Sequence, residues 1–179
     1  ASFVMWFLFP FYVADVMGRS GLTLGALLAL MAGMNFLGSG IAGWLADRAG
    51  DRPIIFIGTI LTAIGLVFVG TAGDNPEMSR VVISTAILGL GFGIHQAAVY
   101  ALTLRGTPSE YAGSTSAALT VSQTIGTVMS IALMTSLLNW RQSSQNATFA
   151  EAYQFAYFTA AGIALVSGMI VLRLRRKAQ

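Results

Sequence analysis

Apolar residues gather along the chain into six runs, at 2–17, 21–46, 53–72, 78–103, 111–138 and 152–173, separated by short polar stretches. A helix rising about 1.5 Å per residue needs roughly 20 residues to cross a hydrocarbon layer, and these runs are of that order. None alternates residue by residue, as the strands of a lipid-crossing barrel do. The pattern predicts an all-α polytopic membrane protein with six transmembrane helices, named here the first to sixth runs.

Charge follows the same division. The chain is 55% hydrophobic and only 9% charged, whereas a soluble domain has about 25% charged residues. Its ten basic and seven acidic residues lie in the gaps or at the edges of the runs; a central Asp, Lys or Arg costs about 2.5–3.5 kcal/mol on insertion scales. Even Asp15 and Arg19 stand at the far end of the first run.

The net charge of +3 is scattered over loops and one tail, so no nucleic-acid partner is expected. Arg48, Arg52, Arg105, Arg173, Arg175, Arg176 and Lys177 fall on one side of a six-span layout, and Arg19, Arg80 and Arg141 on the other. This bias predicts that both termini are cytoplasmic, in a plasma or bacterial inner membrane. There is no cysteine, hence no disulfide or thiol metal site, and no cofactor is expected. The chain begins at Ala1 and its first run follows at once, without a basic flank or cleavage site, so a signal peptide is not expected and the chain reads as a piece of a longer protein.

The loops hold helix-boundary residues. "TPSEYAG" at 107–113 reads as a capping box opening the fifth helix, with Thr107 as N-cap, Pro108 at the first helical position and Glu110 three residues after the cap. "GDNPEMSR" at 73–80 opens the fourth, with Asn75 before Pro76, and "NAT" at 146–148 matches a glycosylation acceptor.

Small residues let helices approach closely in lipid. Ser114, Ala118, Ser122, Gly126 and Ser130 form such a ladder on the fifth run; Gly89, Gly93 and Ala97 on the fourth; Gly25, Ala29 and Gly33 on the second; Ala160, Ala164 and Gly168 on the sixth. Amides and imidazole occur deep in a run only at Asn35, His95, Gln96 and Gln123. Such groups face a bundle interior or a wet cavity, so the second, fourth and fifth helices are expected to be central. The third has nothing more polar than threonine, and the sixth only Gln154 and Ser167. Those two are expected to be peripheral.

His95 has its unperturbed charge change near neutral pH. Two readings stand: a neutral imidazole hydrogen-bonded between helices, or a substrate-contacting or proton-sensing group. Gln96 shares a face with Gly89, Gly93 and Tyr100 and suits a packed interhelical hydrogen bond. "FVMWFLFPFY" at 3–12 places Trp6 and Tyr12 among aromatics around a helix-bending Pro10, either as lipid-facing filler or as the wall of a pocket for an apolar ligand. The candidate cavity-lining residues are therefore Trp6, Tyr12, Asn35, His95, Gln96, Tyr100 and Gln123.

Between the second and third runs, "GWLADRAGDRP" at 43–53 concentrates Asp47, Arg48, Asp51 and Arg52. Gly50 suits a left-handed position after a helix end. Arg48 complements the negative end of one helix and Asp51 the positive start of the next. Asp47 faces the wrong end of the dipole. Arg105 and the free amides at the start of the fifth helix lie on the same side, and Asp47 is expected to be held by them as a latch between the second and fifth helices.

Gly43, Asp47, Arg48, Gly50 and Arg52 resemble the signature loop of the major facilitator superfamily, with Asp51 in place of the first of its final basic pair. That departure resembles the degenerate copy carried in the C-terminal half of such transporters. The stretch at 89–134 is similar to the penultimate helices of fourteen-span drug:proton antiporters. The resemblance implies that residues 1–179 are one half-domain, two inverted three-helix repeats forming the last six spans of a twelve- or fourteen-span protein.

It implies alternating access, with Asp47, Arg48, Gly43, Gly50, Arg52 and Arg105 as the conformational latch. It also implies a missing N-terminal half, a lipid bilayer and a small-molecule substrate as partners. Proton-coupled efflux of small molecules or drugs is the function implied; uptake of sugars, organic acids or other metabolites is the alternative. Enzymatic activity is not expected. A remote alternative is an intramembrane serine protease, with Ser39 between Gly38 and Gly40 paired to His95; a non-catalytic membrane scaffold is another.

Overall fold

In the computed structural model, residues 9–10, 13, 18, 21–71, 77–145 and 148–173 are described. They form five long helices: α1 Gly21–Ala49, α2 Asp51–Gly70, α3 Met78–Arg105, α4 Ala112–Gln145 and α5 Phe149–Arg173. These are the second to sixth runs, and all five are long and apolar enough to span a bilayer. No strand occurs among the described residues. The first run, with Trp6 and Tyr12, lies mostly outside the described residues, as do Asn75, Pro76 and Asn146. Phe9 and Val13 of that run are described and fully buried.

α3 is the hub, with α1 against one side and α2 against another, and α5 covers the far side of α2. Small residues set these approaches. A Cβ on Gly93 would overlap the Asn35 carbonyl of α1, and one on Gly89 the Met31 carbonyl. Gly91 sits against Thr62 of α2, Gly58 against the His95 backbone, and Gly168 of α5 against Thr59. The buried serine and threonine hydroxyls bond within their own helices: Thr59, Thr62, Ser84 and Thr85 each donate to a carbonyl one turn back, at 2.7–2.9 Å.

Among these five helices the packing matches the expected sorting at α3, which is central, and at α5, which is outermost, and departs from it at α2 and α4. α2, the third run, is sandwiched between α3 and α5, whereas α4 is the most exposed helix of the five. A helix of small and apolar residues can be covered on several sides with no polar group left unbonded, which is why α2 lies inside. The ladders divide likewise. Gly89 and Gly93 of α3 and Ala160, Ala164 and Gly168 of α5 are buried; Gly25, Ala29 and Gly33 of α1 and Ser114, Ala118, Ser122 and Gly126 of α4 are exposed.

Two caps differ from expectation. The Thr107 hydroxyl turns back to the Thr103 carbonyl at 2.9 Å, and a short 3-10 turn, Ser109–Tyr111, precedes α4. A reciprocal box forms instead at α5: the Thr148 amide donates to Glu151 Oε2 at 2.9 Å, and the Glu151 amide to Thr148 Oγ1 at 3.4 Å. α4 also continues past residue 138, its expected end, to Gln145. There Arg141 lies over the Phe155 ring of α5, 5.0 Å from its centre.

Candidate functional site

The charged hairpin closes one end of the bundle. α1 and α2 are separated by Gly50 alone, at φ 83° and ψ 157°, a region open essentially only to glycine. Its ψ is extended, so the residue is not the left-handed helical cap expected. The turn directs Asp47 and Asp51 toward Arg105, the last residue of α3.

Arg105 Nη2 lies 2.6 Å from Asp47 Oδ1, and Nη1 lies 3.6 Å from Asp51 Oδ1. The Asp51 side chain is only 9% exposed, while Asp47 and Arg105 are 68% and 52% exposed. One guanidinium thus ties the ends of three helices. The tie from Asp47 runs to α3; among the described residues no hydrogen bond reaches it from the start of α4. Arg48 turns elsewhere, its guanidinium carbon 3.6 Å from the centre of the Trp44 ring. Arg52 is half-buried, and Gly43 faces open space.

Deeper in the bundle, His95 faces α2, with Nδ1 3.1 Å from Thr59 Oγ1. Tyr100 faces α4, its hydroxyl donating to Gln123 Oε1 at 3.2 Å. That bond bridges a shallow seam: the bundle-facing stripe of α4 is buried at Met134 and Leu138 but only half-buried at Thr127, Gln123 and Leu119. Asn35 is half-buried where α1 crosses α3. Gln96 is also half-buried, and no other described residue hydrogen-bonds its side chain. The structure therefore joins Tyr100 with Gln123, gives His95 a separate partner, and leaves Asn35 and Gln96 beside the α1–α3 crossing.

Ser39 and His95 form no dyad. The serine hydroxyl donates to the Phe36 carbonyl of its own helix at 2.8 Å, and the imidazole bonds Thr59. Thr59 and Trp44 complete these contacts and were not among the residues singled out from the sequence; Asp51 was read there as complementing the start of its helix, and its proximity to Arg105 was not foreseen. The signal for Thr59 was the small-and-hydroxyl spacing of Gly58, Thr59 and Thr62, which marks a face built for close approach.

The sequence profile of the Major Facilitator Superfamily matches residues 1–179. The chain belongs to that superfamily. Its members are multi-pass membrane proteins, in keeping with the apolar helices described above. Among superfamily relatives, it is 28% identical to the uncharacterized MFS-type transporter YwoD of Bacillus subtilis (strain 168), over 74% of this chain and 29% of that protein. It is 32% identical to a triacylglyceride transporter of Mycolicibacterium smegmatis, over 64% of this chain and 22% of that protein. With the uncharacterized transporter YebQ of Escherichia coli (strain K12) it shares 27% identity, over 94% of this chain and 36% of that protein. The chain thus spans roughly a third or less of the length of the curated relatives it matches.

Proposed function

We propose that the chain is one half of a secondary transporter working by alternating access, exporting small molecules or drugs in exchange for protons, with both termini in the cytoplasm. The observation that carries this reading is the Arg105–Asp47 ion pair. It joins the ends of α1 and α3 at 2.6 Å while both side chains stay largely exposed. An exposed pair is worth about 0–1 kcal/mol, so it holds one arrangement of the helix ends and releases it at small cost. That is the behaviour required of a latch.

The open ladders of α1 and α4 support the pairing with a second half, since small residues with nothing against them suit the approach of further helices. The half-exposed Asn35, Gln96, Tyr100 and Gln123 supply the polar part of a cavity wall. Relatives named as triacylglyceride transporters favour a strongly apolar cargo.

The test is transport in proteoliposomes under an imposed pH gradient, with wild type and Asp47→Asn compared. Asp47→Asn is expected to change the turnover rate and the solvent accessibility of cysteines placed at the hairpin end, while substrate affinity stays the same. Unaltered turnover and unaltered accessibility would refute the latch; transport indifferent to the proton gradient would refute the exchange.

A further inference from the structure

The hairpin divides its charges unevenly. Asp47 and Asp51 both turn to Arg105, so Arg48 and Arg52 form no ion pair among the described residues. Arg48 instead rests on Trp44, which is 61% exposed. A guanidinium lying over a ring engages it through its face and keeps its in-plane N–H donors for an acceptor, a fork that matches phosphate oxygens.

The rest of that helix face points to what the acceptor is. Leu37, Ile41, Trp44 and Arg48 recur at spacings of four, three and four residues and form one stripe, on the side of α1 turned away from the Ala42 and Ala46 that pack toward α3. Leu37 and Ile41 are exposed. Beside this stripe runs the smaller one of Gly33, Gly40 and Gly43, which have nothing within contact. Small residues suit a helix neighbour, whereas large apolar side chains with an indole and a free cation at their end suit lipid, the indole sitting at headgroup level.

We propose that Trp44 and Arg48 form a headgroup site for an anionic phospholipid of the leaflet at the hairpin end, its acyl chains lying along Ile41 and Leu37. The site takes a phosphodiester with net negative charge. Phosphatidylcholine, whose headgroup carries its own cation, binds it less well. Nothing in this inference depends on transport or its direction.

The purified protein is titrated in detergent with phosphatidylglycerol or phosphatidylcholine, and bound lipids are counted by native mass spectrometry. Wild type is expected to retain phosphatidylglycerol preferentially. Arg48→Gln should lower that affinity about fivefold, the attraction of one basic residue near an anionic surface. Arg48→Lys should fall between, keeping the charge without the fork, and Trp44→Leu should also weaken retention. Arg80→Gln, at the opposite end, should leave it unchanged. Equal retention of the two lipids by wild type overturns the proposal. So does unchanged binding by Arg48→Gln, an equal loss in Arg80→Gln, or a loss of association with a protein partner in Arg48→Gln while lipid retention persists.

Discussion

Thr59 Oγ1 and His95 Nδ1 are 3.1 Å apart across the seam between α2 and α3. The Thr59 hydroxyl has one hydrogen, and its 2.8 Å bond to the Ile55 carbonyl uses it. The bond to His95 therefore takes its hydrogen from the ring. Nδ1 is thus the donor in this contact.

Removing that acceptor should be felt in stability. Thr59→Val keeps the shape of the side chain but removes the hydroxyl that faces the ring, and is expected to cost about 1 kcal/mol, the scale of hydrogen bonds between membrane helices. Thr59→Ser should retain the bond. Equilibrium unfolding in mixed micelles compares the two variants; a larger loss in Thr59→Ser than in Thr59→Val would show that packing of the Thr59 methyl matters more than the bond.

Gly93 and Gly126 should respond oppositely to enlargement. At Gly93 a side chain meets the Asn35 backbone, whereas at Gly126 it meets open space. Gly93→Val is expected to destabilise the bundle by about 1–3 kcal/mol or more, as overpacking does. Gly126→Val should leave the packing among these five helices nearly unchanged, apart from the small gain in helix propensity when valine replaces glycine. Its effect should instead be on association with whatever covers α4. Thermal unfolding reports the first outcome, and cross-linking from α4 the second.

Tyr100→Phe removes the hydroxyl bridging α3 and α4 and leaves the ring. Because the seam there is shallow, α4 is expected to gain mobility around Gln123 with about 1 kcal/mol or less lost in stability. Spin labels on Ser116 and Thr103 should show a broader distance distribution in the variant. An identical distribution would mean that the bond follows the helix spacing and does not set it.

The exposed latch makes a contrasting prediction. Arg105→Gln should lower stability by at most about 1 kcal/mol for the pair with Asp47, plus a further loss from leaving the nearly buried Asp51 carboxylate without its cation. The double variant Arg105→Gln, Asp51→Asn should recover that second part. A thermodynamic cycle over the four proteins separates them.

Most of the architecture was legible in the sequence because a lipid-crossing helix must be apolar along nearly its whole length, and the runs mark that directly. Ends were less legible: α4 continues through Asn139–Gln145, and Arg141 in that polar extension gains the face of Phe155. The Asp47–Arg105 pair was readable from an acid at the wrong end of a helix dipole. The Thr59–His95 bond was not, since a hydroxyl that bonds its own helix looks like any other residue of an apolar run. Tyr100 and Gln123 could each be picked out as polar, but their pairing depends on how α3 and α4 rotate against one another. The T-x-x-E spacing occurs at Thr107–Glu110 and at Thr148–Glu151, and only the second caps a helix. Thr107 follows α3 closely enough to bond its last turn, which removes its hydroxyl from the next one.

Gly50 is the whole connection between α1 and α2, and a joint of one residue has no slack. If α1 tilts about its hairpin end, α2 is dragged with it, and α5 behind α2. A shift of either helix end at that elbow is therefore felt at the other, while the angle between the two is held by their common seat on α3 and by the Arg105 tie.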